Sequence, residues 1–177
     1  QTRAAAQFLI GSGRTDEALT LLKEAVPSQS DEKEIDAAIG SVLYSAAIYG
    51  DSIPYLQSVV DAGGEDVFRH RLIESLLRMQ QFDEGRAALA ALKADTGNSY
   101  EAYMLEAFLA NRESILAGAS GDAAGEAAGV ERYRASLRSA MLAGPEQPRP
   151  YELLVQNFLS EYLKNRDESI LEQARSV

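Results

Sequence analysis

Gly13-Arg14-Thr15-Asp16-Glu17-Ala18-Leu19, with Leu22 and Ala25 beyond it, decides the fold. An apolar run from Ala4 to Ile10 precedes it, so the pattern reads helix, glycine turn, acidic helix start and second helix. Gly13 can adopt the left-handed backbone that closes a first helix. Asp16 and Glu17 stand in the first turn of the next, where the helix dipole favours negative charge. Ala18, Leu22 and Ala25 share one face at helical spacing, and the two alanines let another helix come close.

The pattern continues outward. A polar break at Ser28–Asp31, with Ser30 or Asp31 as cap, leads into a helix over about 32–49 that buries Ile35, Ile39, Val42, Leu43 and Ala46. Gly50-Asp51-Ser52 is the expected turn, with Pro54 in the first turn of the helix that follows. Gly63-Gly64 ends that helix. A third pair turns at Gln80-Gln81-Phe82-Asp83-Glu84-Gly85, and Thr96-Gly97-Asn98 breaks its second helix. A fourth starts near Tyr100, and a fifth follows the proline-rich link Gly144–Pro150. Between these two, residues 117–129 are almost entirely Ala, Gly, Ser and acids, and read as a flexible insertion.

Helix pairs near a fixed period resemble the tetratricopeptide-repeat family. The resemblance rests on Gly13/Ala18/Leu22/Ala25, on Gly50/Ala62, on Phe82-Asp83-Glu84, and on Ala140/Pro145 running into Tyr151/Leu154/Phe158. Gly13 and Gly50 lie 37 residues apart, against a family period of about 34. Gly85 departs from the family's alanine, and Tyr55 stands where a small residue is usual. The resemblance implies an all-α, right-handed α-solenoid of about five irregular antiparallel pairs, forming one domain over 1–177. Such a stack buries each pair against its neighbours. The opening at Gln1, inside a helical pattern, reads either as the result of signal-peptide removal or, the favoured expectation, as a piece of a longer protein.

Composition narrows the function classes. Net charge is −10, with 27 acidic against 17 basic residues. That average field repels nucleic acid and anionic membranes, and no basic stripe overrides it. No apolar run approaches the roughly 20 residues that a membrane-spanning helix needs. Cysteine is absent, which excludes disulfides, thiolate metal sites and cysteine nucleophiles while leaving the compartment open.

No catalytic constellation stands out. His70 is the only histidine, flanked by Arg69 and Arg71, and no glycine-flanked serine elbow accompanies it. The glycines of 118–129 lack a preceding strand and a phosphate-binding lysine. The expectation is a non-enzymatic scaffold without cofactor or metal that binds a protein or peptide. The alternative is a structural spacer in a larger protein. In the family, the first helix of each pair lines a concave groove. That resemblance places Gln7, Tyr44, His70, Glu74, Arg78, Glu101, Glu152 and Gln156 there as exposed partner-binding residues. His70, Glu74 and Arg78 are spaced four apart and share a face. Arg78 offers a pairing site for a partner carboxylate, while Glu74 and the overall charge favour a partner with basic residues nearby.

Overall fold

The computed structural model describes residues 2–25 and 32–177. The Ser28–Asp31 break, and Pro27 before it, lie outside the described residues. Ten helices form five consecutive pairs and no strand is present among the described residues. The pairs are α1 (Thr2–Gly11) with α2 (Thr15–Ala25), α3 (Glu32–Ser45) with α4 (Tyr49–Asp61), and α5 (Asp66–Arg78) with α6 (Phe82–Thr96). They continue with α7 (Tyr100–Ala119) and α8 (Ala123–Ala143), then α9 (Arg149–Asn165) and α10 (Glu168–Arg175). Contacts gather into two compact units, Gln1–Ala88 and Leu89–Val177, whose boundary falls within α6.

One backbone device makes most of the turns. Gly13, Ala47, Gly63, Gln80 and Gly121 all take positive φ, between 60° and 81°. In each case that residue's N–H bonds the carbonyl three residues back, and the next N–H reaches five back. Gly13 to Ile10 with Arg14 to Leu9, and Ala47 to Tyr44 with Ile48 to Leu43, are two examples. These bonds satisfy carbonyls that a helix end leaves unpaired. The expected turn at Gly50 is therefore corrected. Chain reversal occurs at Ala46–Ile48, α4 begins at Tyr49, and Pro54 sits inside the helix rather than in its first turn. The within-pair turns at Gly13, Ala47 and Gln80 then lie 34 and 33 residues apart, closer to the family period than the glycine spacing.

That register also explains two departures from the family pattern. Five residues after each of these turns stand Ala18, Ser52 and Gly85, all small and all buried. Ser52, not Tyr55, fills the small position of the second pair. Its hydroxyl donates to Tyr49 O at 2.7 Å and lies 3.1 Å from the Ser75 hydroxyl, so the buried oxygen is satisfied. A Cβ on Gly85 would stand 2.5 Å from Leu77 Cδ2, which accounts for glycine in place of alanine.

In the first unit, Ala6, Ile10, Ala18, Leu22, Ile39, Val42 and Leu43 make one core, and Leu56, Leu72 and Leu76 a second. The first helices of its pairs also touch one another, α1 against α3 and α3 against α5. In the second unit, Ala107, Ala110, Tyr133, Leu137, Leu154, Phe158 and Ile170 form the core of α7–α10.

The flexible insertion expected at 117–129 is not a loop here. It comprises the end of α7, a tight turn at Ser120–Asp122 and the start of α8. Asp122 caps α8 by accepting from Gly125 N at 2.9 Å. The small residues serve close packing: a Cβ on Gly129 would meet Ser114 Cβ at 2.6 Å and Ser114 Cα at 2.8 Å. The Ser114 hydroxyl donates across to Glu126 O at 3.1 Å, tying the two helices beside this contact. A composition that reads as disorder is that of a close helical hairpin.

Candidate functional site

The chemistry of the first unit concentrates where α3 meets α5. Ser41 and Tyr44 lie on one face of α3 at i, i+3. Phe68, Arg71, Glu74 and Arg78 run along α5 at i, i+3 and i, i+4 spacing, so helix geometry alone lines each set up. Tyr49, opening α4, closes the end of the row. The helices are joined by hydrogen bonds between residues thirty apart. The Tyr44 hydroxyl donates to Glu74 Oε2 at 2.5 Å, and Arg71 Nη1 donates to Ser41 Oγ at 2.7 Å.

Aromatic rings and guanidinium groups alternate along this seam. Arg71 lies 5.7 Å from the Phe68 ring centre and 5.6 Å from that of Tyr44. Tyr44 meets Tyr49 edge-on, with centres 5.8 Å apart and planes at 75°. Arg78 then sits 4.8 Å from the Tyr49 ring. Each cation over a ring face is attracted by the ring's quadrupole, by about 0.5–1 kcal/mol at exposed sites and more when desolvated. Arg78 also forks onto Glu74, with Nε at 2.8 Å and Nη2 at 2.7 Å from Oε1. Burial, reinforced by the bond to the Glu74 carboxylate, raises the Tyr44 hydroxyl above the ordinary tyrosine pKa, so it stays protonated and keeps donating.

Several sequence expectations need correcting here. Tyr44, His70 and Glu74 are half-buried rather than exposed; Gln7 on α1 and Arg78 are exposed. The structure brings Tyr44, Glu74 and Arg78 into one network, which His70 does not join. Glu101, Glu152 and Gln156 belong to the other unit and are exposed there. Glu152 pairs with Arg149 at 3.4 Å within its own helix. Ser41, Tyr49, Phe68 and Arg71 were missed. The i, i+3 pairings of Ser41 with Tyr44 and Phe68 with Arg71 were the available signals.

The second unit holds a contrasting arginine. Arg134 is only 7% exposed and lies 4.5 Å from the Phe158 ring centre. Its Nε donates to Asn157 at 2.7 Å, Nη1 to Glu131 at 3.1 Å and Nη2 to Glu161. Each of its nitrogens is taken by the chain's own groups, so it acts as a tie between α8 and α9 beside a shallow cleft of about 360 Å³. Among the described residues no helix is long and apolar enough to cross a membrane, and no cluster of acids and histidine is arranged to hold a metal.

Comparison with solved structures gives the same architecture over nearly the whole chain. "MamA 41-end from Desulfovibrio magneticus RS-1" aligns with TM-score 0.62 at 16% identity, covering 99% of this chain and 92% of its own. "MamA RS-1 ArsTM double mutant" aligns at 0.61 with 18% identity, covering 97% and 87%. "MamA MSR-1 C2" aligns at 0.52 with 12% identity, covering 99% and 93%. No family model and no curated protein matches the chain. At such identities the likeness establishes the fold: an all-α solenoid of antiparallel helix pairs, similar to tetratricopeptide repeats.

Proposed function

We propose, from the premise of a tetratricopeptide-like array of helix pairs, that this chain is a non-enzymatic scaffold for protein–protein interaction. The side formed by α1, α3 and α5 in its first unit is where it holds a partner segment. The observation that carries this reading is the row Phe68, Arg71, Tyr44, Tyr49 and Arg78. Two guanidinium groups and three rings are prearranged there at the meeting of consecutive first helices. Tyrosine and arginine dominate the energetics of binding surfaces because each offers broad apolar contact with a polar end. Held in place before a partner arrives, they lose little further side-chain freedom on binding.

Selection from an unbiased peptide library tests the reading. Binders should be recovered on the parent chain and lost on a Tyr49→Ser/Arg78→Ala variant. This pair strips the outer end of the row without cutting the Tyr44–Glu74 bond. Tyr44→Ala is unsuitable because it severs a tie between α3 and α5. If no selected peptide depends on these residues, the chain is better described as a spacer in a larger protein.

A further inference from the structure

We propose that Arg71 anchors a carboxylate of an acidic partner segment, an inference that rests on α3 and α5 forming the binding side. Arg71 is half-buried and held between the Tyr44 and Phe68 rings. It donates one hydrogen bond, to the neutral Ser41 hydroxyl, and no carboxylate among the described residues pairs with it. Its remaining donors are not sealed in: the only buried, unpartnered side-chain polar atom among the described residues is Arg112 Nε. The group is therefore partly desolvated and held in orientation by the two rings and Ser41.

The natural counter-ion within its own helix is Glu74, three residues on, and that carboxylate is committed elsewhere. Oε2 accepts from Tyr44 and Oε1 from Arg78. Arg134, equally stacked on a ring, shows the contrasting case, with two glutamates and an asparagine around it. A partly buried guanidinium without an anion carries a desolvation penalty, which an incoming carboxylate offsets through a pair of parallel charge-assisted hydrogen bonds.

The neighbouring arginines of α5 differ from Arg71: Arg69 stands 3.7 Å from Asp66 and Arg78 pairs with Glu74, whereas no carboxylate of the described residues pairs with Arg71. Electrostatic complementarity at Arg71 then calls for an acidic residue in the partner, against the expectation drawn from net charge. The aromatic rings beside Arg71 favour an extended segment with apolar side chains between its acids.

The test is fluorescence anisotropy with a labelled peptide of Glu interspersed with Leu, Gly and Ser, against the same peptide with Gln for every Glu and with Lys for every Glu. The Glu peptide should bind the parent chain and weaken as salt rises. The Gln and Lys forms should bind at least about tenfold more weakly. Arg71→Gln should weaken the Glu peptide by about tenfold or more, and Arg71→Lys, which keeps charge but loses the planar fork, by less. Helical circular dichroism confirms folding, and Arg71→Lys together with the salt series decides the matter if Arg71→Gln does not fold. Equal binding of the Glu and Gln peptides, preference for the Lys peptide, or indifference to both Arg71 variants overturns the proposal. If library peptides of other composition still depend on Tyr49 and Arg78, the partner chemistry is wrong while the binding side stands.

Discussion

Gly129→Ala puts the reinterpretation of residues 117–129 to a sharp test. In an exposed helix or loose segment, replacing glycine by alanine stabilises by about 0.5–1 kcal/mol, because the unfolded chain loses freedom. At Gly129 the added Cβ would meet Ser114 Cβ at 2.6 Å, Cα at 2.8 Å and the backbone nitrogen at 3.0 Å. Carbon atoms rest at about 3.5–4.0 Å, and two of these three neighbours are backbone. Relief requires α7 and α8 to part by roughly 1 Å at this contact. Overpacking of this kind costs about 1–3 kcal/mol, so against a gain of about 0.5–1 kcal/mol the net loss centres on ~1 kcal/mol and reaches about 2.5 kcal/mol. For a unit the length of Leu89–Val177 each kcal/mol lost lowers the melting temperature by roughly 4–8 °C.

Gly118→Ala is the matched control. The three atoms nearest its Cβ would belong to the Glu126 carboxylate, the first at 2.9 Å, the free end of a flexible side chain that can swing aside. That variant should melt at or slightly above the parent temperature. Thermal and urea melts followed by far-ultraviolet circular dichroism read both. If Gly129→Ala matches Gly118→Ala and neither falls below the parent, α7 and α8 do not pack as described. Residues 117–129 would then be the loose segment that their composition implies.

Three further outcomes follow from the same packing. Ala18 is fully buried among Ala6, Ile10 and Leu43, so Ala18→Leu should lower stability by about 1–3 kcal/mol in urea melts, and an unchanged midpoint would place Ala18 outside the contact. Gln80 holds a left-handed backbone at φ 62°, which disfavours a side chain by about 1–2 kcal/mol; Gln80→Gly should therefore raise the melting temperature, offset in part by unfolded-state freedom. Burial raises Tyr44, with the Glu74 bond second, and burial also raises Tyr100 and Tyr133. A raised folded pKa leaves their contribution intact below the unfolded value of about 10, and it is lost as pH climbs past that value, because the unfolded chain ionises first. Urea midpoints should fall above about pH 10, and Tyr44→Phe should fall less steeply.

Much of the fold was legible because helical periodicity and capping are local. Thr2–Gly11 and the start at Thr15 followed from the apolar run, Gly13 and the acids after it. Two features were hidden for physical reasons. A left-handed turn residue is recognised in sequence when it is glycine; at Ala47 and Gln80 the hydrogen bonds to preceding carbonyls hold non-glycine residues in the same conformation. The 117–129 composition was ambiguous because small side chains mean either nothing to bury or nothing to keep two helices apart. Only the partner helix distinguishes these, and Ser114 lies 15 residues from Gly129.

The candidate site divides along the same line. The Glu74–Arg78 pairing follows from helical spacing within α5, which the sequence shows by placing both on one face. The state of Arg71 depends on which groups claim the Glu74 carboxylate, and one of them is Tyr44, thirty residues earlier on another helix. Had Tyr44 been phenylalanine, the spacing within α5 would be unchanged, yet Glu74 Oε2 would be left free to turn toward Arg71. The capacity of this face to accept an acidic partner is therefore a property of the contact between pairs. It arises because stacking at a near-constant period brings Ser41 to Arg71 and Tyr44 to Glu74 together.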